Sequence, residues 1–167
     1  MTAAENGGPG AAGDNDTAVD ITIVSSEDQV QRLLPLMRAY CDFYSVAPSD
    51  QSLLLVSRAL IADPNHEGVQ LLANDSGRDV GFSTVYWSWE TTTCGRIGVM
   101  NDLYVDASAR GRGVGSALIQ ECVRRAHAHG AVKLVWQTAV DNLNAQRVYD
   151  NIGATREAWV DYWLDAR

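Results

Sequence analysis

Apolar and polar positions along the chain follow two rhythms, one of about 3.6 residues and one of two, and the switches between them mark out the elements. Residues 1–19 have neither: they are small, polar and glycine-rich, and are expected to form a flexible tail ahead of a single domain over 20–167. A short strand is expected at 20–24. Ser25-x-x-Asp28 then resembles a capping box, and Val30, Leu33, Leu34, Met37, Tyr40, Cys41 and Tyr44 follow at helical spacing. Pro35 inside that run is expected to kink or divide the helix. A second helix is expected at 49–62, stopped by Asp63-Pro64-Asn65.

Period-two patterning takes over at 69–73 and 80–89, two strands flanking a turn rich in Asn, Asp and Gly. A further strand at 97–105 completes an antiparallel meander. Helical spacing returns at 116–129, with Leu118, Ile119, Cys122, Val123 and Ala126 as the buried stripe and Gly130 to end it. A strand at 133–138 follows, and the crossover makes it parallel to 97–105. A short helix at 142–152 and a last strand or strand pair at 154–164 close the chain. The fold class is therefore α/β (α+β): a mixed sheet of antiparallel strands followed by a βαβ unit, with flanking helices.

Charge and composition narrow the function. A net charge of -8 argues against non-specific nucleic-acid binding and would suit a cationic substrate. Cys41, Cys94 and Cys122 have neither CxxC nor zinc-ligand spacing, and His66, His127 and His129 complete no cluster, so no metal is expected. Free thiols, with no signal peptide and no long apolar span, point to a cytoplasmic protein away from membranes.

The candidate chemistry lies at 100–117, where a strand gives way to a helix through Arg110-Gly111-Arg112-Gly113-Val114-Gly115-Ser116. The first amides of a helix lack intrahelical partners and carry partial positive charge. Glycine lets a phosphate approach them, and arginine adds charge-assisted hydrogen bonds. There is no Gly-Lys-Ser/Thr, so this is not a nucleoside triphosphate loop; Ser116 stands where the third glycine of a dinucleotide-binding turn belongs. Phe82, Tyr86, Trp87 and Trp89 form an aromatic strand that either packs the core or walls a ligand cation, with Tyr86 and Trp89 the candidates for the second role.

Asn142-x-x-Ala145-x-x-x-Tyr149 puts three residues on one helical face. Together with Arg110-x-x-Gly113-x-Gly115, it resembles the two motifs of the GNAT superfamily of N-acetyltransferases. Asn101-Asp-Leu-Tyr-Val-Asp106, Val135-Trp-Gln-Thr138 and the ending Gly153-Ala154 are similar to the histone-and-polyamine branch and to the spermidine/spermine (diamine) acetyltransferases. The close resemblance covers about residues 80–164.

The resemblance implies acetyl-CoA as cofactor, its pyrophosphate on the amides of Gly111, Gly113, Val114, Gly115 and Ser116 with Arg110 or Arg112 beside it. The pantetheine arm would lie in a gap between strands 97–105 and 133–138, pairing with the backbone of Leu103 and Val105, with Asn142 hydrogen-bonding the arm. A bulge around 101–103 could open that gap. Tyr149 would be the general acid, since a phenol of pKa about 10 can protonate a departing thiolate whose conjugate acid lies near 8.5.

The base is less defined. Asn101 stands where the spermidine/spermine relatives carry Glu, which leaves Asp102, Glu90 or a water relay. Strand alternation sends Asp102 to the opposite face unless a bulge intervenes, and it could equally be a structural carboxylate. Ala154 follows Gly153 where Phe is common.

The expected reaction is direct transfer of an acetyl group to a primary amine of a small molecule: a polyamine, a diamine or an amino-acid amine. Glu90, Trp87, Tyr40, Tyr44 and the rings over 159–163 are candidate pocket walls. Protein or histone lysine acetylation, and a non-catalytic acyl-CoA-binding module, are the alternatives. The resemblance implies a homodimer paired through the carboxy-terminal strands, and Trp159, Tyr162 and Trp163 there are rings of the kind that want a partner.

Overall fold

The computed structural model describes residues 19–166. Its elements, in order, are β1 (Asp20–Ile23), α1 (Glu27–Phe43), α2 (Asp50–Ala62), β2 (Gly68–Asp75), β3 (Arg78–Glu90), β4 (Gly95–Val105), a 3-10 turn (Ala107–Ala109), α3 (Val114–Ala128), β5 (Ala131–Val135) and α4 (Leu143–Asn151). The five strands form one sheet in sequence order. The first four pair antiparallel, and β5 joins β4 in parallel through the α3 crossover. The tail expected at 1–19 lies, except for Val19, outside the described residues.

Strand alternation splits the core into two layers. On one face Leu72 and Phe82 meet Val30, Leu33 and Met37 of α1 and Leu53 of α2. On the other, Val69, Leu71, Val85 and Met100 meet Leu118, Ile119, Cys122 and Ala126 of α3. Each large aliphatic residue shut away here stabilises the fold by about 1.5–3 kcal/mol.

The amino-terminal cap of α1 sits one residue later than the pattern suggests. Ser26 Oγ accepts from the Gln29 amide at 3.3 Å, and Gln29 Oε1 reaches back to the Ser25 amide at 2.9 Å. The helix runs on through Pro35, so the expected division does not occur. Pro35 and Gln31 both lie on the exposed side, where water can replace the missing amide donor. At the other end of the chain, residues 154–166 form no strand. Trp159, Val160, Tyr162, Trp163 and Leu164 are all more than three-quarters exposed. A β-favouring sequence needs a partner edge, and within one copy this segment meets none.

Sheltered carboxylates come with cations. Asp75 pairs with Arg112, Asp79 with Arg32, Asp106 with Arg78, and Glu90 with Lys133. Glu121 is held by both Arg124 and Arg125. Asp50 and Asp63, at the ends of α2, face Arg38 and His66. No described helix is long and apolar enough to cross a membrane.

Candidate active site

The site is made by two irregularities in β4. The β3–β4 register skips a residue: Thr84 faces Asp102 and Val85 faces Met100, which leaves Asn101 as a bulge. On its other side β4 pairs with β5 only from Arg96 to Val99. Beyond Val99 the two strands part, while β4 continues to Val105. The expected splay is therefore present, with the bulge at its root.

The gap opens into a cleft of about 510 Å³. Met100, Asn101, Leu103, Tyr104 and Val105 line it from β4, and Trp136, Gln137 and Thr138 from the chain beyond β5. Asn142, Ala145, Val148 and Tyr149 face it from the start and body of α4, as their helical spacing requires. Tyr40, Phe43 and Tyr44 close it at the end of α1.

Arg110, Gly111, Gly113, Val114, Gly115 and Ser116 form the mouth. Here α3 starts two residues earlier than its pattern suggests, because Gly113 takes φ +81° as its N-cap. Gly111 is also left-handed, at φ +74°. Ser26, Ser49 and Asn142 cap α1, α2 and α4 with side-chain oxygens, but no side chain caps α3. The amides of Val114, Gly115 and Ser116 thus meet the cleft as donors with partial positive charge, a seat that fits a pyrophosphate. A Cβ at Gly115 would stand 3.8 Å from Val105 Cγ2, on the cleft wall itself.

The two arginines of the loop separate. Arg110 lines the cleft, its Nε donating to the Val105 carbonyl at 3.0 Å and its guanidinium 6.0 Å from the Tyr104 ring. Arg112 pairs with the buried Asp75 carboxylate at 2.6 Å and does not line the cleft, which leaves Arg110 as the loop arginine there. Asn142 lines the cleft and uses Oδ1 to cap α4 at the Ala145 amide, 3.3 Å away.

Tyr149 stands edge-on to Trp136, with ring centroids 5.3 Å apart. Burial raises its phenol pKa above the ordinary value, and a hydrogen bond from Thr138 opposes the shift. At neutral pH the phenol is protonated, as a proton donor must be.

The expected base and two expected pocket walls are corrected. Because Asn101 takes up the bulge, Asn101 lines the cleft while Asp102 turns toward α1 beside Thr84. The Asp102 carboxylate accepts from Asn101 Nδ2 at 3.0 Å. Asn101 and Tyr40 line the cleft and Asp102 does not. Burial, and secondly the Asp102 charge, push the phenols of Tyr40 and Tyr86 up. Trp87 shares the α3 face with Val85, stacks on His129 at 4.1 Å and donates to the Pro64 carbonyl at 2.8 Å. It belongs to the core. Glu90 lies at the far end of β3, 2.8 Å from Lys133 Nζ.

Tyr40 lines the cleft among the rings of Tyr44 (5.0 Å), Phe82 (5.8 Å) and Tyr104 (6.5 Å). The sequence reading missed Phe43, Tyr104, Trp136 and Thr138 as cleft residues. Tyr104 was legible as the residue one alternation after Asp102, and Trp136 and Thr138 as the carboxyl end of a parallel strand. The rings over 159–163 do not line the cleft. That segment meets the cleft wall where Gln137 Nε2 donates to Asp161 at 2.6 Å. Among the described residues no group of His, Cys, Asp or Glu is arranged to hold a metal ion.

Comparison with known proteins agrees with this geometry. An uncharacterized N-acetyltransferase, YhfO, of Bacillus subtilis (strain 168) is 31% identical over 134 residues, 80% of this chain and 89% of that protein. A ribosomal-protein-alanine N-acetyltransferase from Brucella melitensis biovar Abortus 2308 is 26% identical with a TM-score of 0.72, covering 89% of this chain and 99% of that one. An aminoglycoside N-acetyltransferase solved with CoA shares the fold alone, at 18% identity and a TM-score of 0.78 over 90% of this chain and 96% of that one. The model of the acetyltransferase (GNAT) family matches residues 33–154, the span that carries the uncapped helix and Tyr149. This chain belongs to the GNAT family, as an acetyl-CoA-dependent N-acetyltransferase.

Proposed function

We propose that the chain acetylates a primary amine of a small molecule by direct transfer, with Tyr149 as the proton donor. The observation that carries this is the meeting of three features in one cleft: an uncapped helix terminus at its mouth, a protonated phenol at its middle and an aromatic end wall. Bound acetyl-CoA supplies a thioester-activated acetyl group and a thiolate leaving group. The amides of Val114 to Ser116, with the Arg110 guanidinium, hold the diphosphate end. Asn142 Nδ2 and the backbone of Leu103 and Val105 hold the arm in the gap.

Tyr149 holds at Oη the proton that the departing sulfur would take, a contribution of about 10²–10⁴ in rate, and the proton shed by the acceptor nitrogen would return to the Tyr149 oxygen through water. Trp136 fixes the ring and Thr138 its hydroxyl. Tyr40, Phe43 and Tyr44 close the acceptor end, which favours a compact amine over a lysine in a polypeptide that must run across an open groove. Three free thiols, Cys41, Cys94 and Cys122, suit the reducing cytoplasm.

A homodimer belongs to the same reading. Trp159, Tyr162, Trp163 and Leu164 form an exposed apolar arm, and a second copy supplies the strand edge it lacks. A molar mass of one chain by light scattering at micromolar concentration rejects the dimer.

The test of the reaction is CoA release from acetyl-CoA across a panel of amines. Turnover well above the amine-free rate with one or more small amines is expected. Release only without amine, or only with peptides, rejects the reading.

A further inference from the structure

The first amides of α3 seat a diphosphate only if the chain ahead of them is held still, and no side chain caps that helix. Ahead of them lies the segment 106–112, which leaves β4, makes the 3-10 turn and passes Arg110 and the left-handed Gly111. Both ends of this segment are tied to one place, the tight turn between β2 and β3. Asp75 and Arg78 close that turn as a register pair, and Ser76 and Gly77 between them take φ +53° and +88°. Two central residues with positive φ make the hairpin turn whose twist matches its strands. The Gly77 amide donates to Asn74 Oδ1 at 2.8 Å, and Asn74 Nδ2 donates to Asp79 at 2.9 Å, so the turn is braced from within.

The two ties cross. Asp75 takes the guanidinium of Arg112 at 2.6 Å, and Arg78 gives its own to Asp106 Oδ1 at 2.7 Å. They differ in depth. Asp75 is buried, so its pair belongs to the fold. The side chain of Arg78 is 60% exposed and that of Asp106 31%, and an ion pair in that setting contributes little to stability.

Asp106 is nevertheless the hub of the segment. Its carboxylate also accepts from the Ser108 amide at 3.0 Å and from the Ser108 hydroxyl. Its amide donates to the Val80 carbonyl at 2.8 Å, and its carbonyl accepts from the Ala109 amide at 2.9 Å. The Ser108 hydroxyl, then the Ser108 amide and Arg78, hold its carboxyl below the usual carboxylate range. Ala109 is buried at the end of the turn, and Arg110 follows directly, its Nε on the Val105 carbonyl at 3.0 Å. By charge alone, a carboxylate in the loop that leads to a diphosphate seat opposes binding there. A group that adds little stability and the wrong charge has geometry left as its contribution.

We propose that Asp106 is a positioning residue for acetyl-CoA: clamped to the β2–β3 turn by Arg78, it fixes the 3-10 turn and with it the direction in which Arg110 and the first amides of α3 face the mouth of the cleft. The clamp is set before the cofactor arrives, so binding does not have to order the loop.

This inference rests on the diphosphate seat proposed above, and the sign of one substitution separates it from simple electrostatics. Asp106→Asn removes a negative charge and keeps an oxygen for the Ser108 amide. If the residue acts only through its charge, CoA binds this variant more tightly. The clamp predicts the opposite. By calorimetry with the full chain, CoA affinity is expected to fall about three- to tenfold in Asp106→Asn and about tenfold or more in Asp106→Ala. The unfolding temperature is expected to stay within about 5 °C of the wild type. The KM for acetyl-CoA rises in step, while kcat at saturation and the KM for the amine hold within about twofold, a split that general loosening of the fold does not produce.

Arg78→Met keeps much of the stem and removes the cation, and is expected to weaken CoA by about threefold. Combined with Asp106→Ala it adds nothing further, because both changes break the same clamp. Losses that multiply mean that Arg78 reaches the phosphates itself, and they overturn the clamp. So does a CoA affinity that is unchanged or increased in Asp106→Asn. A wild type that binds no CoA rejects the seat, and amide hydrogen exchange without ligand then judges the clamp by itself. Faster exchange at Ser108 and Ala109 in Asp106→Ala, with β3 and the body of α3 unaltered, supports it; unchanged exchange at both overturns it.

Discussion

The two halves of the sheet are built to different depths. In β2 nearly every residue is buried, and β3 is buried over most of its length. β5 has no fully buried residue, and neither does α4. The cleft opens along the boundary between them, where β4 belongs to the deep half and the chain after β5 to the shallow one. The difference separates two tasks. The deep half fixes the uncapped start of α3, since that helix is pinned by Leu118, Ile119 and Cys122, all 1% exposed or less. The shallow half carries Asn142 and Tyr149 at the cap and in the body of α4, a helix with no fully buried residue.

The contrast predicts unequal costs for the same kind of truncation. Leu118→Ala in α3 is expected to lower unfolding free energy by about 3 kcal/mol or more, read by chemical denaturation. Val148→Ala in α4 is expected to cost about 1 kcal/mol at most, because a half-exposed methyl pair leaves little cavity. Similar losses at both positions would erase the distinction between the halves.

The loop arginines sharpen the contrast at the level of function. Arg110→Ala is expected to raise the KM for acetyl-CoA by about tenfold, the loss of one charge-assisted phosphate contact. Arg112→Ala is expected to lower stability instead, by about 1–3 kcal/mol, because it leaves the Asp75 carboxylate buried without its partner. An Arg112→Ala variant of full stability and raised KM would reverse the assignment.

The smallest expected effect concerns pH. The Tyr149 phenol is raised, so the protonated form is the one favoured by the fold. Its contribution to stability is present below the unfolded value and is lost as pH rises through the folded one. The alkaline limb of kcat should accordingly lie above about pH 10, leaving kcat level from about pH 8 to 9.5 if the acceptor is already neutral. A limb well below 10 that vanishes in Tyr149→Phe would contradict the burial of that hydroxyl.

Much of this architecture was legible in the sequence, and the parts that were not share a cause. Periodicity located α3, the meander and the parallel strand, and the glycine spacing located the uncapped start of α3 at the cleft mouth. What it could not give was parity. Whether Asp102 faces the cleft or α1 depends on one bulged residue, Asn101, which is visible only once β3 is paired beside it. Trp87 was misplaced for the same reason, since its face is set by Val85 and the helix beneath it. Arg110 and Arg112 look alike in a loop, and only the position of Asp75 on a neighbouring strand separates them. The segment 154–166 has the composition of a strand, but a strand also needs an edge.

The central claim is that Tyr149 delivers a proton and does not merely pack against Trp136. Tyr149→Phe keeps the ring and removes only the hydroxyl, so steady-state CoA release and acetyl-CoA binding, measured together, test it most directly. The account predicts a kcat lower by about a hundredfold or more with acetyl-CoA affinity within about twofold of the wild type. A variant that retains its kcat on the preferred amine would contradict it.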